Sequence, residues 1–395
     1  MKASIVICGA GIIGLTIAKA CLKLGHQDIL IIEKESHIGA HASGRNSGVL
    51  HAGIYYDPQS MRAHSCLAGN RMMQAYCKEK NLPLKKSGKV IVASSPDDIP
   101  TLKILFDRAQ KNGANVALID EKTLSEIEPE AKTCSQALYS FDTAVVNPKK
   151  ILNALLQDLI NTKTVKVSFN TAFQNVSGKN QLMTSKGKIE FDYFINAGGA
   201  YSDVIAKSFG LGQHYRIIPF KGIYKQIKKG NEYKYKGNIY PVPNIKNPFL
   251  GVHFTKHVHG DVYLGPTAIP AFGRENYRLL EGLNLESLVI FYQDINLLFT
   301  NKRFRQIAKE EPLKYHFTHF FRDAQKLVKH LNPDDIITCS KVGIRPQLID
   351  LKTHELVMDF VIEQDERAIH VLNPISPAFT SSMAIADEVV NRCFT

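Results

Sequence analysis

Hydrophobic positions near the amino terminus switch period twice within about thirty residues, the spacing of one strand-helix-strand unit. Ile5-Val6-Ile7-Cys8 is a continuous apolar run of the kind that forms a buried strand. Leu15, Ala18, Leu22 and Leu24 then recur near helical spacing, and Ile29-Leu30-Ile31-Ile32 is a second apolar run. Gly25 stands where the helix should end, and Glu33 closes the unit.

The turn between the first run and the helix reads Gly9-Ala10-Gly11-Ile12-Ile13-Gly14, a G-x-G-x-x-G. Gly9 permits the tight turn, Gly11 lets backbone approach a pyrophosphate, and Gly14 lets helix and strand pack closely. Free N–H groups and the positive helix end complete an anion site. Glu33 can accept hydrogen bonds from ribose hydroxyls, and its charge disfavours a 2′-phosphate, so the unit favours FAD or NAD over NADP. Residues 33–56, Lys34 among them, are dense in Gly, Ser, Asn and His yet apolar at Val49-Leu50 and Ile54-Tyr55-Tyr56. That mixture fits a loop and a helix start against a large ligand. Ser43, Asn46, Ser47 and the amides around Gly48 offer donors, and His51 lies just beyond.

Further along, periodicity predicts helices over 63–82, 99–112 and 149–160 and strands over 89–93, 116–119, 165–169, 173–176 and 191–196. The last of these strands runs into Asn196-Ala197-Gly198-Gly199-Ala200-Tyr201-Ser202, small residues that let backbone come close to a ligand. Residues 251–255 and 262–265 read as a hairpin with His253 inside an alternating strand. Residues 283–331 differ in texture: helix-rich, broken by Pro312, and mixing phenylalanines with Lys302, Arg303, Arg305 and Lys309. Such helices either cover a domain or lie on a membrane surface. A strand carrying Arg345 before Pro346 and a final helix over 383–392 end the pattern.

Composition adds little to this picture. At 395 residues and 44% hydrophobic, the chain has material for about two domains. The net charge of +12 is scattered, which suits a solvated basic surface or attraction to anions, and nothing resembles a nucleic-acid module. The seven cysteines have no metal or disulfide spacing, so thiols in a reducing compartment and no metal are expected. Lys19 and Lys23 interrupt the first apolar stretch, so we expect neither a signal nor a spanning helix, and a cytoplasmic protein.

Several motifs together resemble one family. The opening unit with Glu33-Lys34 and the run from Asn46 through His51 to Tyr56 resemble the FAD-dependent oxidoreductases of the D-amino-acid oxidase class. More narrowly, they are similar to L-2-hydroxyglutarate dehydrogenases or oxidases. The likeness extends through Ser87-Gly88-Lys89-Val90, Tyr240-Pro241-Val242-Pro243, Leu250-Gly251-Val252-His253, Gly343-Ile344-Arg345-Pro346-Gln347 and Ser376-Pro377-Ala378-Phe379-Thr380-Ser381-Ser382. It implies a Rossmann-like FAD-binding domain (1–83, 145–208 and 339–395) interleaved with an α+β substrate domain on a mainly antiparallel sheet (84–144 and 209–338).

The resemblance also implies roles. The turn at Ala197, Gly198 and Ala200 would pack on the FAD diphosphate region and Phe173 on the adenine. Ser376, Ala378, Phe379, Thr380 and Ser381 would meet the flavin ring edge or ribityl chain, as would Val49. Arg345 would bind the substrate carboxylate, for which a guanidinium is chemically apt. Oxidising a 2-hydroxy acid needs a base for the hydroxyl proton, whereas a neutral amine needs none, and His51 and His253 are the candidates. In related flavoenzymes a histidine placed like His51 tethers the ring. Lys221, Tyr240 or Arg274 would hold a second carboxylate. The expected reaction is oxidation of L-2-hydroxyglutarate to 2-oxoglutarate, with oxygen or a membrane quinone as acceptor. Alternatives are an oxidase of another hydroxy acid or an amino acid, or a flavin-binding protein without turnover.

Overall fold

The computed structural model describes residues 1–245, 249–278 and 281–394. The opening strand, Lys2–Cys8, pairs in parallel with Ile29–Ile32 on one side and with Gly187–Asn196 on the other. Val165–Ser168 extends this sheet beyond Ile29–Ile32, and Ala368–Val371 joins it on Gly187–Asn196. Alternate residues enter two different cores. Ile5, Ile7, Ile29 and Ile31 pack on one face; Val6, Cys8, Leu30 and Ile32 pack on the other. That is why the runs are continuously apolar: a parallel strand covered on both faces has no side to give to water. Helix Ile12–Lys23 begins behind the glycine turn and stops where Gly25 adopts φ +88°. Leu24 lies outside the helix and is exposed, so the stripe ends at Leu22.

A second, 10-stranded sheet carries the rest. Its spine is the antiparallel pair Tyr215–Ile227 and Ile336–Asp350, whose register sets Phe220 opposite Arg345 and Gly222 opposite Gly343. Pairing is antiparallel throughout except between Asn238–Pro241 and Lys89–Val92. Because Ile336–Asp350 belongs wholly to this sheet, the chain returns to the first sheet later than the expected boundary at 339. A three-stranded sheet of Val49–Leu50, Ala144–Val146 and Leu84–Lys85 delivers His51 to the region between the two large sheets.

Helix Met61–Glu79, capped by Ser60 accepting from the Ala63 N–H, packs on the final helix. That helix spans Ala378–Phe394 and starts five residues before the sequence suggests. His253 is also displaced from expectation: it precedes the strand Phe254–Lys256. Leu285–Thr300, Lys302–Glu310 and Phe317–Gln325 form the helical segment. Leu297, Phe304 and Phe320 face inward and cover the second sheet, whereas Leu288, Phe291 and Phe299 remain exposed. No helix among the described residues is long and apolar enough to cross a membrane.

Candidate active site

A cavity of about 560 Å³ is walled by residues of both large sheets. Its nucleotide end is built from backbone. Gly9 takes φ +107°, and a Cβ on Gly14 would stand 1.9 Å from the Gly9 carbonyl oxygen, so only hydrogen fits there. Gly11 heads the helix and has no side chain of its own to cap it, which leaves amides beyond Ile12 for an anion. The Ile12 N–H donates to Ser43 Oγ (2.9 Å), fixing the loop beside the helix end. Glu33 lies on the cavity wall and accepts from the Ala10 N–H (2.8 Å) and the Glu35 N–H (2.9 Å). A carboxylate has about four acceptor sites, so capacity remains for ribose hydroxyls.

Gly9, Gly11, Ile12, Ile13, Lys34, Asn46, Ser47, Val49, Phe173, Ala197, Gly198 and Ala200 also line the cavity, as expected of a dinucleotide groove. Ala10, Gly14, Gly48 and Ser381 do not reach it. They shape the groove from behind: Ala10 through Glu33, Gly14 through its contact with Gly9, Gly48 through a turn at φ +74°, and Ser381 from a fully buried helix position.

A polar latch crosses this end. The Lys34 ammonium donates to Glu275 (2.6 Å) and to Glu35. Tyr201 donates to Glu275 (2.7 Å), and His41 bridges Glu35 (2.9 Å) and Tyr277 (2.7 Å). Lys34 and the histidine drive the Glu35 carboxyl down to about 2. Glu35, His41 and Glu275 bring their ligand atoms within 4.8 Å of one another. The Lys34 ammonium joins both carboxylates in an ion-pair network.

The ring end is built from side chains. Thr380, in the first turn of the final helix, accepts from the His51 N–H (3.1 Å) and donates to the Val49 carbonyl (3.3 Å). Asn70 donates to the His51 carbonyl (2.9 Å). The His51 backbone is thus held on both sides, while its Nδ1 is buried with no partner. His253 Nδ1 donates to the Gly251 carbonyl (2.8 Å), which leaves Nε2 with a lone pair. Its ring stacks on Tyr240, centroids 3.9 Å apart. Burial, reinforced by Lys89 and Arg345, holds His51 well below the usual imidazole range and lowers His253 to about 3. Both imidazoles are therefore neutral.

Arg345 faces the same space with its guanidinium 4.8 Å from the Phe249 ring centre. No hydrogen bond or ion pair of that guanidinium involves the described residues, and burial depresses its pKa. Ser376, Ala378 and Phe379 complete this end of the wall.

Two of the expected carboxylate ligands are committed elsewhere. Arg274 spends all five N–H donors: on Asp203 (2.6 and 3.1 Å), on Glu286 (3.0 and 2.7 Å) and on the Ala200 carbonyl. Burial lowers its pKa, but Asp203 and Glu286 together outweigh burial and raise it. Arg274 is a structural clamp between segments. Lys221 alternates with Phe220 and Gly222, so it points to the other face of its strand, where Nζ donates to the Arg278 carbonyl (3.2 Å). Tyr240 does line the cavity. Sequence reasoning missed Tyr201, Tyr224, Glu275 and Tyr277 on the wall. Only the density of aromatic and acidic residues around 275 could have signalled the latch.

The groove has the glycine turn and acidic residue of a dinucleotide site, and comparison with known proteins agrees. The family profile described as FAD dependent oxidoreductase matches residues 4–392. Similar curated proteins include L-2-hydroxyglutarate dehydrogenase, mitochondrial, of Nematostella vectensis, 36% identical over 98% of this chain and 90% of that protein. Another is L-2-hydroxyglutarate dehydrogenase of Indibacter alkaliphilus, 34% identical over 98% of both. Among solved structures, L-alpha-glycerophosphate oxidase from Mycoplasma pneumoniae with FAD bound aligns with TM-score 0.76 at 20% identity, covering 100% of this chain and 95% of that one. Glycine oxidase from Geobacillus kaustophilus aligns at 0.73 with 16% identity, covering 100% and 96%. The chain belongs to the FAD-dependent oxidoreductase family, on the branch of the L-2-hydroxyglutarate dehydrogenases.

Proposed function

We propose that this protein oxidises L-2-hydroxyglutarate to 2-oxoglutarate, and that Arg345, unpaired and facing the cavity, carries this reading. Glu311 offsets the Arg345 charge without a hydrogen bond, so an anion entering the cavity would complete the guanidinium. A carboxylate meets it with two parallel hydrogen bonds and fixes the α-carbon in position. The glycine turn, Glu33 and the 197–200 turn would hold FAD, which would supply a hydride acceptor. The hydroxyl proton goes to His51 or His253, whose neutral rings are ready to accept it. His253 has its tautomer set by Gly251; His51 stands on the segment that the final helix pins.

A base poised in the neutral form favours a hydroxy acid over an amine as substrate, since a neutral amine gives up its hydride unaided. Anaerobic addition of L-2-hydroxyglutarate should bleach the flavin absorbance. Bleaching by an amino acid alone points to an amino-acid oxidase, and silence with both points to a binding protein.

The exposed surface supports a reading of the electron acceptor. On helix Leu285–Thr300, Leu285 (85%) and Phe299 (79%) stand exposed with Leu288, Phe291 and Tyr292. Lys302, Arg303 and Arg305 follow at once. Apolar side chains beside cations suit an anionic bilayer surface, and hence a quinone as acceptor rather than oxygen. Flotation with anionic vesicles should carry the protein, and Leu288→Glu with Phe299→Glu should abolish it; loss of neither supports oxygen instead.

A further inference from the structure

One buried lysine outside the cavity wall has no counter-charge among the described residues. Lys89, at the start of strand Lys89–Val92, is 1% exposed, and its Nζ has no hydrogen-bond partner. The ammonium lies 4.5 Å from the centre of the Tyr55 ring and 4.9 Å from that of Tyr240. Its neighbours across the sheet are Ser140 and Asn238, neither charged. The Tyr55 hydroxyl beside it is also buried without a partner. Of the other buried cations nearby, Arg274 pairs with two carboxylates, and Arg62 donates to the Met358 carbonyl (2.5 Å) and the Ser376 carbonyl, although its Nε has no partner among the described residues. An apolar side chain would fill the Lys89 position with no desolvation cost, so a lysine there calls for a charge that arrives from outside.

Tyr240 stands between this ammonium and the cavity, stacked on His253. His51 and His253 both lie within electrostatic reach of Lys89 and of Arg345. We propose that Lys89 is the second cation of the substrate site, a counter-charge behind Tyr240 for the distal carboxylate of a dicarboxylic 2-hydroxy acid. The inference rests on the oxidation proposed above and adds what selects a diacid over a monoacid. The two cations have different tasks. At the reacting end, orientation matters and a planar fork supplies it; at the far end only charge matters, and a compact ammonium on a flexible stem suffices.

The groups around the ammonium that can titrate are Tyr55, Tyr240, Cys66, His51 and His253, with no carboxylate among them. Burial lowers the Lys89 pKa to about 7. An incoming carboxylate reverses that shift, so a diacid binding at a pH of about 8 takes up a proton.

The test compares L-2-hydroxyglutarate with its analogue bearing a carboxamide at the distal carbon, using the FAD-loaded enzyme. Lys89→Met should raise KM for the diacid by about tenfold or more and KM for the amide by less than about twofold, with Lys89→Arg recovering most of the loss. Equal changes for both substrates, or none for either, overturn the proposal. Should Lys89→Met fail to hold flavin, proton uptake by the native enzyme decides: uptake with the diacid and not the amide supports Lys89, and equal uptake overturns it. A native flavin that the diacid leaves unbleached overturns the oxidation itself, a result distinct from any of these.

Discussion

The two ends of the cavity are made of different material. The nucleotide end is mostly backbone, a glycine turn and one helix terminus with the Glu33 carboxylate, joined by the loop after Glu33 and by the 197–200 turn. The ring end is side chains from distant segments, with His51, Tyr240, His253, Arg345 and Thr380 brought together by sheet register and a helix start. On the proposed function, the first would hold a cofactor by shape, with no room for a Cβ at Gly14, and the second would hold a substrate by charge.

Replacing Gly14 by alanine should have the largest effect, because its Cβ would meet the Gly9 carbonyl at 1.9 Å and the strand-helix contact must open. Purified Gly14→Ala is expected to be colourless by absorbance and not to be reconstituted by FAD. At the opposite end, Arg345→Met should keep its flavin yet lose about a thousandfold in kcat/KM, the worth of a bidentate charged pair. If both variants lost flavin alike, the two ends would not be separate devices.

Asparagine at position 51 or 253 should separate the histidine roles. The variant lacking the base should lose about a hundredfold or more in kcat together with its acid limb, while the other changes KM and keeps the limb. A smaller effect concerns pH. Because both imidazole pKa values are lowered, the base form persists on acidification, so kcat/KM should stay flat as pH falls through 6.5, the ordinary histidine value, and decline only below it. An acid limb centred on the ordinary value would contradict neutral, buried histidines.

The same contrast explains what the chain discloses as a sequence. Ile5 to Glu33 is legible because turn, helix and acid are contiguous and each residue answers to a local demand. The ring end needed a family resemblance to find Arg345, since nothing local distinguishes it from Arg274. Basic side chains carry no sequence sign of their partners: Asp203 lies 71 residues before Arg274, and Glu286 lies 12 beyond it. Lys221 was misplaced for a simpler reason, as a strand of unknown register offers its side chain to either face. The final helix was expected too late because Ala378 to Ser382 are small and polar, with no apolar stripe to mark the first turn.

The most direct test is the position of a bound product. In a structure of the FAD-loaded enzyme with 2-oxoglutarate, we predict one carboxylate paired with Arg345 and the C2 oxygen within hydrogen-bonding distance of His51 or His253. Product held elsewhere, or Arg345 turned from the ring and paired with a protein carboxylate, would contradict the account.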